Sequence, residues 1–250
     1  MNWNIVKGAC LALLPVAGTL KAQEKPNIVV ILADDLASNE ISCYGGKNLK
    51  TPNIDRIAEE GIRFTNNFAS CAMSVPIRAS LYTGLYPARH GSYQNHKISY
   101  SDIKSVTYYL PQAGYRVGRA GKTHTVPKSV FNFEKVPGFE ENCIAVTADY
   151  TVDGIRDFMR QDSPFCLFVC STLSHAPWTC GNKDEFDADK VILPPNCVDN
   201  KGTRELFRRL LAEIRALDNQ VGDVLKTIEE VGKLDNTLAV SYTHLTLPTN

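Results

Sequence analysis

No excess of charge marks this chain: 27 lysines and arginines face 27 aspartates and glutamates. That balance argues against a protein that holds nucleic acid or an anionic membrane by electrostatics. Methionine and tryptophan are scarce, at 3 and 2. Internal repeats, low-complexity tracts and C-x-x-C pairs are absent, which excludes solenoids, arrays and the commonest zinc sites. Long apolar runs are missing too. The stretch from Ala9 to Leu20 is too short to span a bilayer, and no later run is long enough.

What is present suits one sizeable core: 250 residues, 44% of them hydrophobic, enough for one domain or an incomplete larger one. The first residues differ in kind. "MNWNIVKGACLALLPVAGTLKAQ" sets Lys7 before a short apolar stretch and ends on small Ala22. It reads as a secretory leader over residues 1–22, so the mature protein is expected to be exported, periplasmic or secreted, without a membrane span. Pro15 and Gly18 argue against a buried helix there, and Cys10 precedes most of the apolar stretch, so lipidation is set aside.

Without Cys10 seven cysteines remain, an odd count that leaves at least one thiol unpaired in the monomer. Cys166 and Cys170, inside the apolar "FCLFVC", read as core residues. Cys180 and Cys197 flank a loop-like segment and are the expected disulfide.

Apolar runs and helical spacing alternate along the chain. "NIVVILADD" (27–35) and "PFCLFVCS" (164–171) read as buried parallel strands, "YRVGRAG" (115–121) and "NTLAVSY" (236–242) as shorter ones. Helices are expected over "TPNIDRIAEEGIRF" with Pro52 at its start and Gly61 as its stop, from about Pro76 to Tyr86, over 149–161, and over 203–234. The order implies an α/β fold, a mostly parallel central sheet sandwiched by helices. Sites in such sheets form at the carboxyl ends of strands. The polar residues there are Asp34 and Asp35, Lys122 and His124, and His175; Ser74 and Arg78 open a helix that can face the same rim.

The strings "PNIVVILADDL", "TPNIDRIAEEGIRFTNNFAS", "SVPIRASLYTGLYPARHG", "LPQAGYRVGRAGKTH" and "SHAPW", in order from about Lys25 to Val240, resemble the type I sulfatases. These are formylglycine-dependent hydrolases of the alkaline-phosphatase-like superfamily. "GKTHTVP" and "HAPWTCG" resemble, more faintly, the sulfamidases. The resemblance implies that Asp34, Asp35 and the side chain at Ser74 bind calcium, rather than magnesium. It implies that Ser74 is oxidised to formylglycine by a bacterial maturation enzyme, Arg78 offsets the charge at that side chain, and Lys122 binds sulfate. His124 would serve a hydroxyl of the hydrated aldehyde and His175 the leaving group.

The implied chemistry suits these residue types. A sulfate ester is a poor electrophile until its charge is neutralised, and a cation, Arg78, Lys122 and a helix N-terminus supply that. A hydrated aldehyde attacks through one hydroxyl and expels sulfate through the other; a plain serine would be trapped as its ester. The expected activity is hydrolysis of sulfate esters, or N-sulfate, of a sulfated saccharide. A phosphoester or phosphonate hydrolase of the same superfamily, or a non-catalytic anion- or glycan-binding relic, are the rivals. His90 reads as structural support for the helix after Ser74; His96 and His244 receive no role.

The departures are Val75 and Ile77, bulkier than the family's pattern beside the modified position. The family's second acid-and-amide metal pair, second sulfate-binding lysine and C-terminal subdomain do not occur in this sequence. After Asp235 no acid follows, and "SYTHLTLPTN" (241–250) reads as foreign to a domain spanning 23–240, an assembly or cloning scar. The expected consequence is an inactive chain with a half-built metal site.

Overall fold

The computed structural model describes residues 24–142, 144 and 147–245. The expected leader, Cys143 and the last five residues lie outside them. Among the described residues five strands form one parallel sheet: β1 (Asn27–Ala37), β2 (Arg116–Gly121), β3 (Glu134–Val136), β4 (Phe165–Cys170) and β5 (Thr237–Leu245), in the order β3-β2-β4-β1-β5. Among the described residues six α-helices accompany it: α1 (Pro52–Glu60), α2 (Ser74–Thr83), α3 (Pro87–His90), α4 (Val106–Gln112), α5 (Asp153–Met159) and α6 (Lys201–Glu230).

The sheet is covered on both faces, which is why β1 and β4 read as unbroken apolar runs. Alternate residues of β4 part company: Phe165, Leu167 and Val169 join one core, while Cys166, Phe168 and Cys170 join the other. The first core is closed by α6, whose Phe207, Leu211, Ile214, Leu217, Val221, Val224 and Ile228 form one stripe. Truncating Ile214 or Leu217 to alanine there would cost about 2–5 kcal/mol. The second core sits under α2, through Ala79 and Tyr82.

Three expectations are corrected. The helix expected from Pro76 to Tyr86 begins at Ser74 and ends at Thr83, because Gly84 turns left-handed (φ +70°) and its N–H closes on Ser80. The helix expected over 149–161 is only α5; Thr151 is held to Gly138 instead. Cys180 and Cys197 do not pair: the six described cysteines are all free thiols. Cys180 is buried in the α6 core and Cys197 closes a turn on Pro194.

Residues 241–245, expected to depart from the fold, continue β5, with Ser241, Tyr242 and Thr243 in register with Ile31, Leu32 and Ala33 of β1. No described helix is long and apolar enough to cross a membrane.

Candidate active site

The carboxyl ends of three strands are laced together by backbone hydrogen bonds. Ser171 N–H reaches Leu32 O, Asp34 N–H reaches Leu173 O, and Ser174 N–H returns to Asp34 O, each at 3.0 Å. Lys122 N–H reaches Cys170 O at 2.9 Å. Gly121 makes that approach possible: at φ +81° its Cβ position lies 2.2 Å from Cys170 O, so no side chain fits. This lacing brings Asp34, Asp35, Lys122 and His175 to one rim.

Asp34, Arg78 and Lys122 have no solvent exposure, and Ser74 has 5%. One Asp34 oxygen accepts from Arg78 Nη2 at 3.2 Å and from Ser74 Oγ at 3.3 Å; the other is ion-paired with Lys122 Nζ. Two buried cations thus meet one carboxylate. Nε and Nη1 of Arg78 are buried with no hydrogen-bond partner. Donors so placed cost stability unless something accepts from them, and an anion seated beside Ser74 at the first turn of α2 would do so.

Half-buried Asp35 lies on the outer side, with its Oδ2 3.4 Å from His175 Nε2. Its φ of +56° is left-handed, as are those of His96 (+63°) and His124 (+40°). Backbone strain in non-glycine residues gathers at functional sites. Both ring nitrogens of His124 are buried without partners. Burial, then the charges of Lys122 and Arg78, then His96, push the His124 imidazole down to about 4.

All seven residues named from the sequence therefore fall in one connected cluster. His90, read as support, is buried with Nε2 3.1 Å from Ser80 Oγ of α2, and Ser92 N–H donates to its Nδ1. Sequence reasoning missed two neighbours. The His96 ring lies 5.4 Å from that of His124. Asn95 Oδ1 accepts from Val75 N–H, beside Ser74, at 3.1 Å. The polar run "QNHK" carried no pattern that singled them out.

The donor chemistry here fits a hard divalent cation: Asp34 and Asp35 carboxylates and the oxygen at position 74 are the ligands such ions take. Among the described residues no set of three or more His, Cys, Asp or Glu side chains is placed to hold a metal ion, so these donors supply part of a coordination shell that takes about six to eight oxygens.

The sulfatase family pattern matches residues 26–243. The chain is 35% identical to the ulvan-active sulfatase of Formosa agariphila, over 87% of this chain and 44% of that protein. It is 28% identical to the human N-sulphoglucosamine sulphohydrolase, over 93% of this chain and 52% of that one. The chain thus spans about half the length of these curated relatives. A solved structure holding D-glucosamine-2-N,6-O-disulfate as substrate superposes with a TM-score of 0.70 at 22% identity, over 88% of this chain and 65% of that one.

Proposed function

The chain belongs to the sulfatase family, and from that premise we propose that it carries the anion-binding core of an exported enzyme removing sulfate from a sulfated saccharide. The observation that supports this most is the meeting of Ser74 with Arg78 and Lys122 around one buried Asp34 carboxylate. Two cations against one carboxylate leave the buried trio positive, an environment preorganised for a bound anion.

In this reading Lys122 and the open N–H groups of Arg78 bind the sulfate oxygens, with the N-terminus of α2 adding its dipole. Formylglycine made from Ser74, in place of serine, supplies a hydrated aldehyde with one hydroxyl to attack sulfur and a second to expel sulfate. Asp34, Asp35 and that side chain would hold calcium, which supplies positive charge beside the attacking oxygen. His124, neutral at neutral pH, accepts a hydroxyl proton. His175, oriented by Asp35, donates a proton to the leaving oxygen or nitrogen.

Mass spectrometry of the Ser74 peptide tests the reading. Co-expression with a serine-type maturation enzyme should remove two hydrogens from residue 74. Finding only serine would favour the binding relic instead. N-terminal sequencing of exported protein should begin at Gln23.

A further inference from the structure

The loop that carries His175 leaves β4 and returns to the core beside α6, and α6 grips it at two buried points. At the near end, Ser171 Oγ donates to Gln220 Oε1 at 2.7 Å and accepts from Leu173 N–H at 3.1 Å. At the far end, Thr179 N–H and Cys180 N–H both donate to Glu213 Oε1, at 2.9 and 3.1 Å. Glu213 has no solvent exposure and Gln220 only 6%. Their spacing of seven residues puts both on one face of the helix, about 10 Å apart along its axis.

Between these points lie Ser174, His175 and Trp178. Trp178 Nε1 donates back to Ser174 O at 2.9 Å, folding the loop on itself. Beyond Cys180 the chain passes so close to α6 that a Cβ on Gly181 would stand 2.5 Å from Ala212 O.

A buried carboxylate is costly in a core where leucine would pack. Glu213 even leaves Oε2 without a hydrogen-bond partner. Burial pushes its carboxyl up to about 7, the two backbone N–H groups opposing that rise. What it supplies in return is one oxygen shared by two successive amides, a constraint an apolar residue cannot provide.

We infer that Glu213 is a positioning residue for the loop carrying His175, its Oε1 fixing the far end as Gln220 fixes the near one. The loop then presents the His175 ring to Asp35 in one place. The catalytic meaning of this clamp rests on the role given to His175 above; the clamp itself does not, and its test reads no turnover.

Two conservative variants separate acceptor geometry from charge. Glu213→Asp keeps the charge but draws the oxygen back by one methylene; Glu213→Gln keeps an oxygen in place and drops the charge. Hydrogen–deuterium exchange of the 250-residue chain is followed in a peptide over 175–181, with one over 165–170 in β4 as internal reference. Glu213→Asp should speed exchange at Thr179 and Cys180 about tenfold or more, with β4 unchanged. Glu213→Gln should stay within about threefold of the parent. The ring-proton NMR signals of His175 should move in Glu213→Asp and stay near their parent positions in Glu213→Gln. Unchanged exchange in Glu213→Asp would overturn the inference, as would equal acceleration of loop and strand, which marks general loosening. Loss of loop protection in Glu213→Gln alone would overturn it too, because charge rather than acceptor position would then hold the loop.

Discussion

The Lys122 ammonium and the Asp34 carboxylate form an ion pair in which neither side chain has any solvent exposure. Removing one partner of such a pair leaves a charge in a low-dielectric interior and costs about 3–5 kcal/mol. Asp34→Asn, which leaves the buried Lys122 and Arg78 cations without their shared carboxylate, should therefore lower stability by that amount in urea unfolding. Asp34→Asn with Lys122→Met should cost less than the two single changes summed, by more than about 1 kcal/mol. Additive costs would show that the two charges do not depend on one another.

His175 should matter according to what leaves. A positioned acid contributes about 10²–10⁴-fold when the departing atom needs a proton. Where the protein turns over sulfate esters, His175→Ala should slow sugar sulfates by that range and activated aryl sulfates much less. Equal losses on both would assign His175 a structural part.

Acid should destabilise the site through His124. Its folded midpoint, about 4, lies below the ordinary 6.5. The neutral ring is thus favoured in the folded state, and stability is present above 6.5 and lost as pH falls toward 4. At about 1.4 kcal/mol per pH unit the loss reaches at most about 3.5 kcal/mol. His124→Asn should flatten the stability profile between pH 6.5 and 4, read by chemical denaturation at each pH.

Glu213 should tilt the profile the other way. Its folded midpoint, about 7, lies above the ordinary 4.5. Below 4.5 both states hold the proton; as pH rises the unfolded chain releases it first, so stability falls between 4.5 and 7. The fall is at most about 3.5 kcal/mol, and Glu213→Gln should remove it. A parent profile with no such slope would mean that the carboxylate ionises in the fold as it does in water.

How much of this was legible in the sequence follows from what makes a signal local. β1, β4 and α6 announced themselves because burial on both faces, or along one stripe, writes a repeating apolar pattern. α4 did not: it has Pro111 inside it and no fully buried residue, and its start rests on Ser105 accepting from Thr107 N–H. β3 is three residues long and, among the described residues, pairs with β2 alone. Asp34, Asp35 and Lys122 were legible because they sit at the carboxyl ends of β1 and β2, and Arg78 because it lies in the first turns of α2. Asn95, His96, Glu213 and Gln220 were not, since each acts across a separation no spacing rule covers. The Cys180–Cys197 expectation failed for the same reason: sequence flanks do not say which thiol the core takes in.

Calcium binding gives the last test, and the donor count sets its size. Asp34 and Asp35 offer carboxylate oxygens and Ser74 a hydroxyl, while Asp34 is already ion-paired with Arg78 and Lys122. Among the described residues no set of three or more His, Cys, Asp or Glu side chains is placed to hold a metal ion. Calcium is held by about six to eight oxygens, and affinity follows the number of charged ligands. A cation arriving here meets two acids and two fixed positive charges, so attraction and repulsion nearly offset. Calorimetric titration of the 250-residue chain should give a Kd of about 10⁻⁴ M or weaker. Lys122→Met, by removing one of the opposing charges, should tighten it. Tight stoichiometric binding by the parent chain would mean that further oxygens complete the shell, and Asp35→Asn would then tell whether the ion sits at this rim or elsewhere.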